Sequence, residues 1–135
     1  MGAWYTIGIF AGLGTAIGVA CTGALRRALV GLAIAAVVSV ALAFAFSGWP
    51  QAIGGVAGAV CGALGAAPLV TGTLRRGGTR GGTATLLALG SLIGAALAFA
   101  PVVGYLEAVA MVAFGARLRR RSPDRHAGLR TLARD

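Results

Sequence analysis

Long apolar runs separated by short polar breaks dominate the pattern of this chain. No charged residue occurs from Ala28 to Phe46, and after Arg80 the next charged residue is Glu107. A helix needs about 20 predominantly apolar residues to cross the hydrocarbon core of a bilayer. Runs of this length therefore predict membrane-spanning helices rather than the helices of a small soluble domain.

Two copies of one short phrase mark places where the chain turns. Residues 22–27 read TGALRR and residues 71–76 read TGTLRR, and each phrase closes a glycine-rich apolar run. Arginine is costly in hydrocarbon, so each arginine pair predicts a point where the chain leaves the bilayer. Because the exit point is repeated, we predict a duplicated helical hairpin followed by a terminal helix.

The long run from Thr83 to Ala116 is predicted to form two spans. As one helix it would measure about 50 Å at about 1.5 Å per residue, and the arginines after it would lie opposite the other pairs. A break near Pro101 brings all arginine clusters to one face, which the positive-inside tendency assigns to the cytoplasm. We therefore predict an all-α membrane bundle of about five transmembrane helices, N-terminus out and C-terminus in. The predicted spans cover residues 4–24, 28–46, 52–73, 83–100 and 101–116; a partly re-entrant final hairpin is the alternative for the last two.

Residues 1–121 thus form the predicted transmembrane domain, and residues 122–135 form a basic cytoplasmic tail. Ser122 and Pro123 are typical of a helix start. Leu129 and Leu132 then share a face opposite Arg130. This spacing predicts a short helix lying on the inner membrane surface, and a disordered basic tail is the alternative.

The net charge of +9 comes from arginine alone, since the chain contains no lysine. Such a charge is typical of nucleic-acid-binding proteins. Here, however, every arginine lies between apolar spans or in the tail, so we predict anionic lipids as partners and no nucleic acid. Each basic residue near an anionic surface contributes about 1 kcal/mol. The predicted lipid contacts are Arg26, Arg27, Arg75, Arg76, Arg80, Arg117, Arg119, Arg120 and Arg121.

The loop at residues 75–82 contains four glycines and three arginines. Exposed backbone N–H groups in such a loop can hold phosphate. The sequence shows no Walker lysine and no G-x-G-x-x-G pattern, so a flexible lipid-facing loop is the favoured interpretation. A specific phosphate site is the alternative.

Glycines four residues apart are the strongest local pattern within the spans. This spacing places small residues on one helix face, where helix backbones can approach closely. The third span carries three of them, which predicts that it lies at the centre of the bundle. The predicted packing positions are Gly8, Gly12, Gly54, Gly58, Gly62, Gly90 and Gly94.

Glu107 is the one ionisable residue within a predicted span, roughly 9 to 15 Å from either end. We expect an acid at that depth to face the bundle interior and to be largely protonated. One hypothesis is a proton or cation site, formed with Tyr105, Ser91 and Thr85. The other is a structural acid satisfied by a backbone carbonyl or a neighbouring hydroxyl.

The sequence offers little for catalysis. His126, the only histidine, lies in the tail, so neither a metal cluster nor a Ser/His/Asp arrangement can form within the spans. We therefore predict no enzyme activity, no metal and no cofactor.

Two functional hypotheses follow. The first is a transporter-like or channel-like protein, or a subunit of one, that moves a small ion or solute with Glu107 as its ionisable gate. The alternative is a non-catalytic scaffold or lipid-interacting protein that packs with partner helices, in a homo-oligomer or with another membrane subunit. The alanine- and arginine-rich usage is typical of GC-rich bacterial genomes, so we predict a multi-pass protein of the bacterial inner membrane.

Overall fold

A computed structural model describes residues 2–25, 27–100 and 102–121, without the side chain of Arg121. In these residues the chain forms five α-helices and no strand, which confirms the all-helical class. The helices are α1 (Ala3–Ala24), α2 (Ala28–Phe46), α3 (Trp49–Arg75), α4 (Arg80–Leu97) and α5 (Val103–Arg121). The tail predicted to form an interfacial helix lies outside the described residues.

Four helices, α1 to α4, are long and apolar enough to cross a membrane. The fifth helix, α5, has a lower mean hydropathy because it contains Glu107 and the arginines from Arg117 onward. The membrane character of the chain therefore rests on α1 to α4. A crossing by α5 stays a prediction.

The helix α3 extends beyond the predicted third span at both ends. It begins at Trp49, with Pro50 in the first turn, where the missing proline N–H costs no helical hydrogen bond. At its other end Gly77 has a φ of 82°, in the left-handed region. The N–H of Gly78 then donates to the Thr73 carbonyl at 3.0 Å, as in a Schellman motif.

The helix α4 begins three residues before the predicted fourth span because Thr79 caps it. The N–H of Gly82 donates to the Thr79 hydroxyl oxygen at 3.2 Å. The helix ends at Leu97, and α5 begins at Val103. The long apolar run is thus divided into two helices at the proline-containing segment, as its length requires.

The helices α1 and α3 pack side by side at the centre of the bundle and run parallel. Three glycines of α3, Gly54, Gly58 and Gly62, lie against backbone carbonyls of α1. The carbonyls that they meet belong, in the same order, to Ile7, Ala11 and Thr15. Residue numbers therefore increase in the same direction along the two helices, which makes the helices parallel. Their backbones are in contact over more than two turns.

The other three helices pack around this central pair. α2 folds back against α1 and α3. α4 packs along α1 and hardly touches α3, although a short loop joins α3 to α4. It runs antiparallel to α1, because Gly23 lies against Leu87 and Gly12 lies against Ala98. α5 packs against α1 and α3.

The direction of α5 matches that of α1 and α3. Gly104, near its start, lies against the Gly8 carbonyl in the first half of α1. Further along, Met111 lies against Gly65 in the second half of α3. Because α1, α3 and α5 run one way and α2 and α4 run the other, the arginines that flank the helices share one end of the bundle. This arginine end contains Arg27, Arg75, Arg76, Arg80, Arg117, Arg119 and Arg120, whereas Trp4 and Trp49 mark the opposite end.

Candidate functional site

Glu107 lies at mid-depth in the bundle, where α4 meets α5. It follows Gly104 by one helical turn, and Gly104 packs against the backbone of Gly8 and Gly12, about halfway along α1. The Glu107 carboxylate lies against Gly94 of α4, where an added Cβ would collide with Oε1. The glycine at position 94 therefore makes the space that the acid occupies.

The carboxyl group of Glu107 has an oxygen atom, Oε2, that is buried without a hydrogen bond among the described residues. An unpaired carboxylate in an apolar surrounding is costly, so the group is accommodated best with a proton or beside a cation. Chemically, this position can exchange a proton or hold one small cation.

The predicted site requires Tyr105 to lie beside Glu107. The structure places the Tyr105 hydroxyl elsewhere. The Tyr105 hydroxyl donates to the Trp4 carbonyl at 2.6 Å, near the end of the bundle opposite the arginine end. Residues two positions apart point in directions separated by about 200° around a helix, so the two side chains face different neighbours. Tyr105 connects α5 to α1 instead.

The hydroxyl groups of α4 also bond within their own helix. Ser91 donates to the Ala88 carbonyl at 2.8 Å, and Thr85 donates to the Gly81 carbonyl at 3.0 Å. Ser91 lies one turn before Gly94, the residue of α4 that contacts Glu107. Its place in the proton or cation site stays a prediction.

The predicted packing glycines have different neighbours. The glycines of α3 meet α1, whereas Gly8 and Gly12 meet α5 and the end of α4. Gly94 meets Glu107. A Cβ at Gly90 would meet no atom within 4 Å among the described residues. Gly90 is exposed and does not belong to these helix interfaces, because the packed helices leave uncovered the part of this α4 face that lies one turn before Gly94.

Further close contacts lie outside the predicted set. Gly14 and Gly18 bring α1 against Gly55 and Ala59 of α3. Their own four-residue spacing was the available signal. Together with the glycines of α3, they place small residues on both sides of the interface, so the backbones of α1 and α3 approach closely.

A feature that the sequence reasoning missed joins α3 to α5. Gly115 lies against the carbonyl of Leu64. Pro68, four residues later, has no N–H to donate to that carbonyl. The Leu64 carbonyl therefore lacks its helical hydrogen bond and faces Gly115, whose Cα–H can approach it. Such weak Cα–H···O contacts recur between packed helices. A proline four residues after an interface position was the signal.

A second candidate site is a cleft of about 370 Å³ at the arginine end. It lies between the ends of α1 and α3 and the starts of α2 and α4. Both copies of the repeated phrase contribute to its walls, through Thr22, Leu25, Thr71, Leu74 and Arg75. The remaining lining residues are Ala28, Ala67, Val70 and Arg80. We call this feature the arginine cleft.

Arg80 differs from the other arginines described at this end. Its side chain is partly buried, whereas those of Arg27, Arg75, Arg76, Arg117, Arg119 and Arg120 are exposed. Its Nη1 atom is buried and has no hydrogen-bond partner among the described residues. The role of the exposed arginines as headgroup contacts stays a prediction, and Arg26 and the Arg121 side chain lie outside the described residues.

Conventional metal chemistry has little support in the described ranges. There, no group of three or more His, Cys, Asp and Glu side chains is positioned to hold a metal ion. Cys21 and Cys61 are both free thiols. Comparisons of the chain with protein-family models, curated proteins and solved structures gave no match.

Proposed function

We propose that this protein moves a proton or a small cation across the bacterial inner membrane, alone or as a subunit of a transport complex. Glu107 is the ionisable group through which the ion passes. The observation that carries this proposal is the buried Oε2 atom, unpaired among the described residues at mid-depth between α4 and α5.

Filling a helix interface with an unpaired acid is energetically unfavourable. An apolar side chain at this position would avoid the desolvation of a carboxyl group, which costs several kcal/mol in hydrocarbon when it lacks a partner. Gly94 supports the proposal further, because it leaves room for the carboxylate.

The proposed topology has five crossings, with the arginine end in the cytoplasm and the amino terminus outside. The parallel course of α1 and α3, each followed by an antiparallel helix, supports a duplicated hairpin. Parallel repeats are a frequent basis of membrane transporters. The positive-inside tendency supports the orientation.

A non-catalytic scaffold is the second candidate. The outer faces of α2 and α4 favour it, since they are strongly apolar and open: Leu29 is 80% exposed and Leu86 is 72% exposed. Such faces suit lipid, a second copy of the chain or a partner helix. A scaffold requires no ion exchange at Glu107, so the same variant separates the two candidates.

The test is ion flux in liposomes that contain the purified full chain and a pH-sensitive dye. After a pH gradient or a potassium diffusion potential is imposed, we expect flux above protein-free liposomes. Glu107→Gln should abolish it, because glutamine resembles the neutral acid but cannot exchange a proton. Glu107→Asp is the matched control and should retain part of the flux. Flux that is unchanged in Glu107→Gln, or absent in the wild type, would favour the scaffold.

A further inference from the structure

We propose that the arginine cleft is a binding site for a phosphate group, held by Arg80 and Arg75. This site is separate from Glu107, which lies at mid-depth in the bundle. The ligand class is a phosphate-bearing anion, either the headgroup of an anionic phospholipid or free phosphate.

The first argument is the position of Arg80 at the beginning of α4. The amino-terminal end of a helix carries a partial positive charge, so a cation in the first turn is unfavourable. The Nη1 atom of Arg80 is also buried, with no hydrogen-bond partner among the described residues. A buried donor without a partner is unfavourable, and more so when it is charged. An anion bound in the cleft offsets the unfavourable charge, and it pairs with Nη1 when the Arg80 guanidinium turns toward the cleft.

The second argument concerns carboxylates. Glu107 is the only acidic residue among residues 1–121, and it lies at mid-depth, away from the arginine end. Within the described residues, therefore, no carboxylate lines the cleft to neutralise its arginines. A bound anion would supply the counter-charge that these described residues lack.

The third argument is the chemistry of the lining groups. The hydroxyls of Thr22 and Thr71 donate to carbonyls of their own helices at 2.7 Å and 2.9 Å. Among the described lining residues, the two guanidinium groups are therefore the side-chain donors that make no such bond within their own helix. A guanidinium presents several N–H groups in a planar fork that matches phosphate oxygens.

The fourth argument is that the two arginines are held on separate helices around one space. Arg75 lies in the last turn of α3, and Arg80 is the first residue of α4. One turn into α4, the Thr83 hydroxyl donates to the Thr79 carbonyl at 3.0 Å and also lies 3.4 Å from the Thr73 hydroxyl, so the start of α4 contacts the end of α3 there. Apolar lining residues such as Leu25 and Val70 complete an amphiphilic cleft.

The test compares ligands that differ in their phosphate. The full chain in neutral detergent is titrated with dioleoyl-phosphatidylglycerol, with dioleoylglycerol and with inorganic phosphate at constant ionic strength. Binding is followed by native mass spectrometry and by the melting temperature. We expect phosphatidylglycerol to bind at least about tenfold more tightly than dioleoylglycerol, which lacks the phosphate, because charge-assisted hydrogen bonds have that magnitude.

Arg80→Gln should remove most of this preference, by about tenfold. Arg120→Gln is the matched control: it removes the same charge at the same end, but Arg120 is exposed and lies outside the cleft. It should change binding by about twofold or less, because neutral detergent offers no anionic surface for Arg120 to contact and because salt screens exposed charges. Arg75→Gln provides a second cleft variant if Arg80→Gln fails to fold.

The outcomes separate the sources and the alternatives. Stabilisation by phosphatidylglycerol alone identifies a lipid headgroup, and stabilisation by inorganic phosphate as well identifies a site for free phosphate. Equal losses in Arg80→Gln and Arg120→Gln would overturn the proposal in favour of diffuse surface attraction. Equal binding of dioleoylglycerol and phosphatidylglycerol would overturn it in favour of an apolar groove.

Discussion

Gly58 of α3 lies directly against the backbone carbonyl of Ala11 in α1, at the centre of the bundle. An added Cβ at Gly58 would also come within 2.9 Å of the Thr15 nitrogen. Neither neighbour is the end of a flexible side chain, so the contact cannot relax by a rotamer change. The separation of the two central helices therefore depends on the absence of a side chain at this position.

Gly58→Ala should consequently destabilise the bundle by about 1 to 3 kcal/mol, the usual cost of overpacking a tight interface. The measurement is the free energy of unfolding in mixed detergent–SDS micelles. Gly90→Ala is the matched control, because a Cβ there meets open space. It should leave stability unchanged or raise it by up to about 1 kcal/mol through helix propensity. Equal effects of the two substitutions would contradict this account of the interface.

The sequence was sufficient to predict the central helix but not its neighbours. Three glycines on one face of α3 indicated close packing, since only small residues let backbones meet. Which helix fills that face is a tertiary property. Nothing in the pattern of α4 indicates that it lies along α1 instead of α3, to which a short loop joins it.

For the candidate site, too, the sequence predicts the depth of a residue but not its neighbours on other helices. The depth of Glu107 follows from its spacing to Pro101 and Arg117, so its isolation from solvent could be anticipated. The space made by Gly94 and the Tyr105 bond to Trp4 join residues of different helices, and spacing within one span does not reveal such pairs. The arginine cleft required knowledge of how both repeat copies sit around one space.

Gly94→Ala should couple energetically to Glu107. A methyl group at position 94 would meet only the carboxylate at the end of the Glu107 side chain, which can turn away, so we expect a loss of about 1 kcal/mol in unfolding free energy, at the low end of overpacking costs. In a Glu107→Ala background the space is free, and the same substitution should cost little. A double-mutant cycle measures the difference, which should exceed about 0.5 kcal/mol. Additive effects would show that the two residues do not touch.

Tyr105→Phe should lower the free energy of unfolding by about 1 kcal/mol, the net contribution of one hydrogen bond. The substitution removes only the hydroxyl that donates to the Trp4 carbonyl. It should leave ion flux in liposomes unchanged, because this hydroxyl does not reach Glu107. A lower flux in Tyr105→Phe at unchanged stability would indicate that Tyr105 belongs to the ion site after all.

The proposed topology places Gly78 and Arg119 on one side of the membrane and Trp49 on the other. The parallel course of α1, α3 and α5 brings the first two to the arginine end, and Trp49 begins α3 at the opposite end. Single cysteines at these three positions, in a chain with Cys21 and Cys61 replaced by alanine, can be labelled in intact cells with a membrane-impermeant maleimide. We expect labelling at position 49 alone before the membrane is opened, and at positions 78 and 119 only afterwards. Labelling of position 119 together with position 49 would show that α5 does not cross the membrane, because its arginine-rich end would then lie on the outer side while α1 to α4 kept their places.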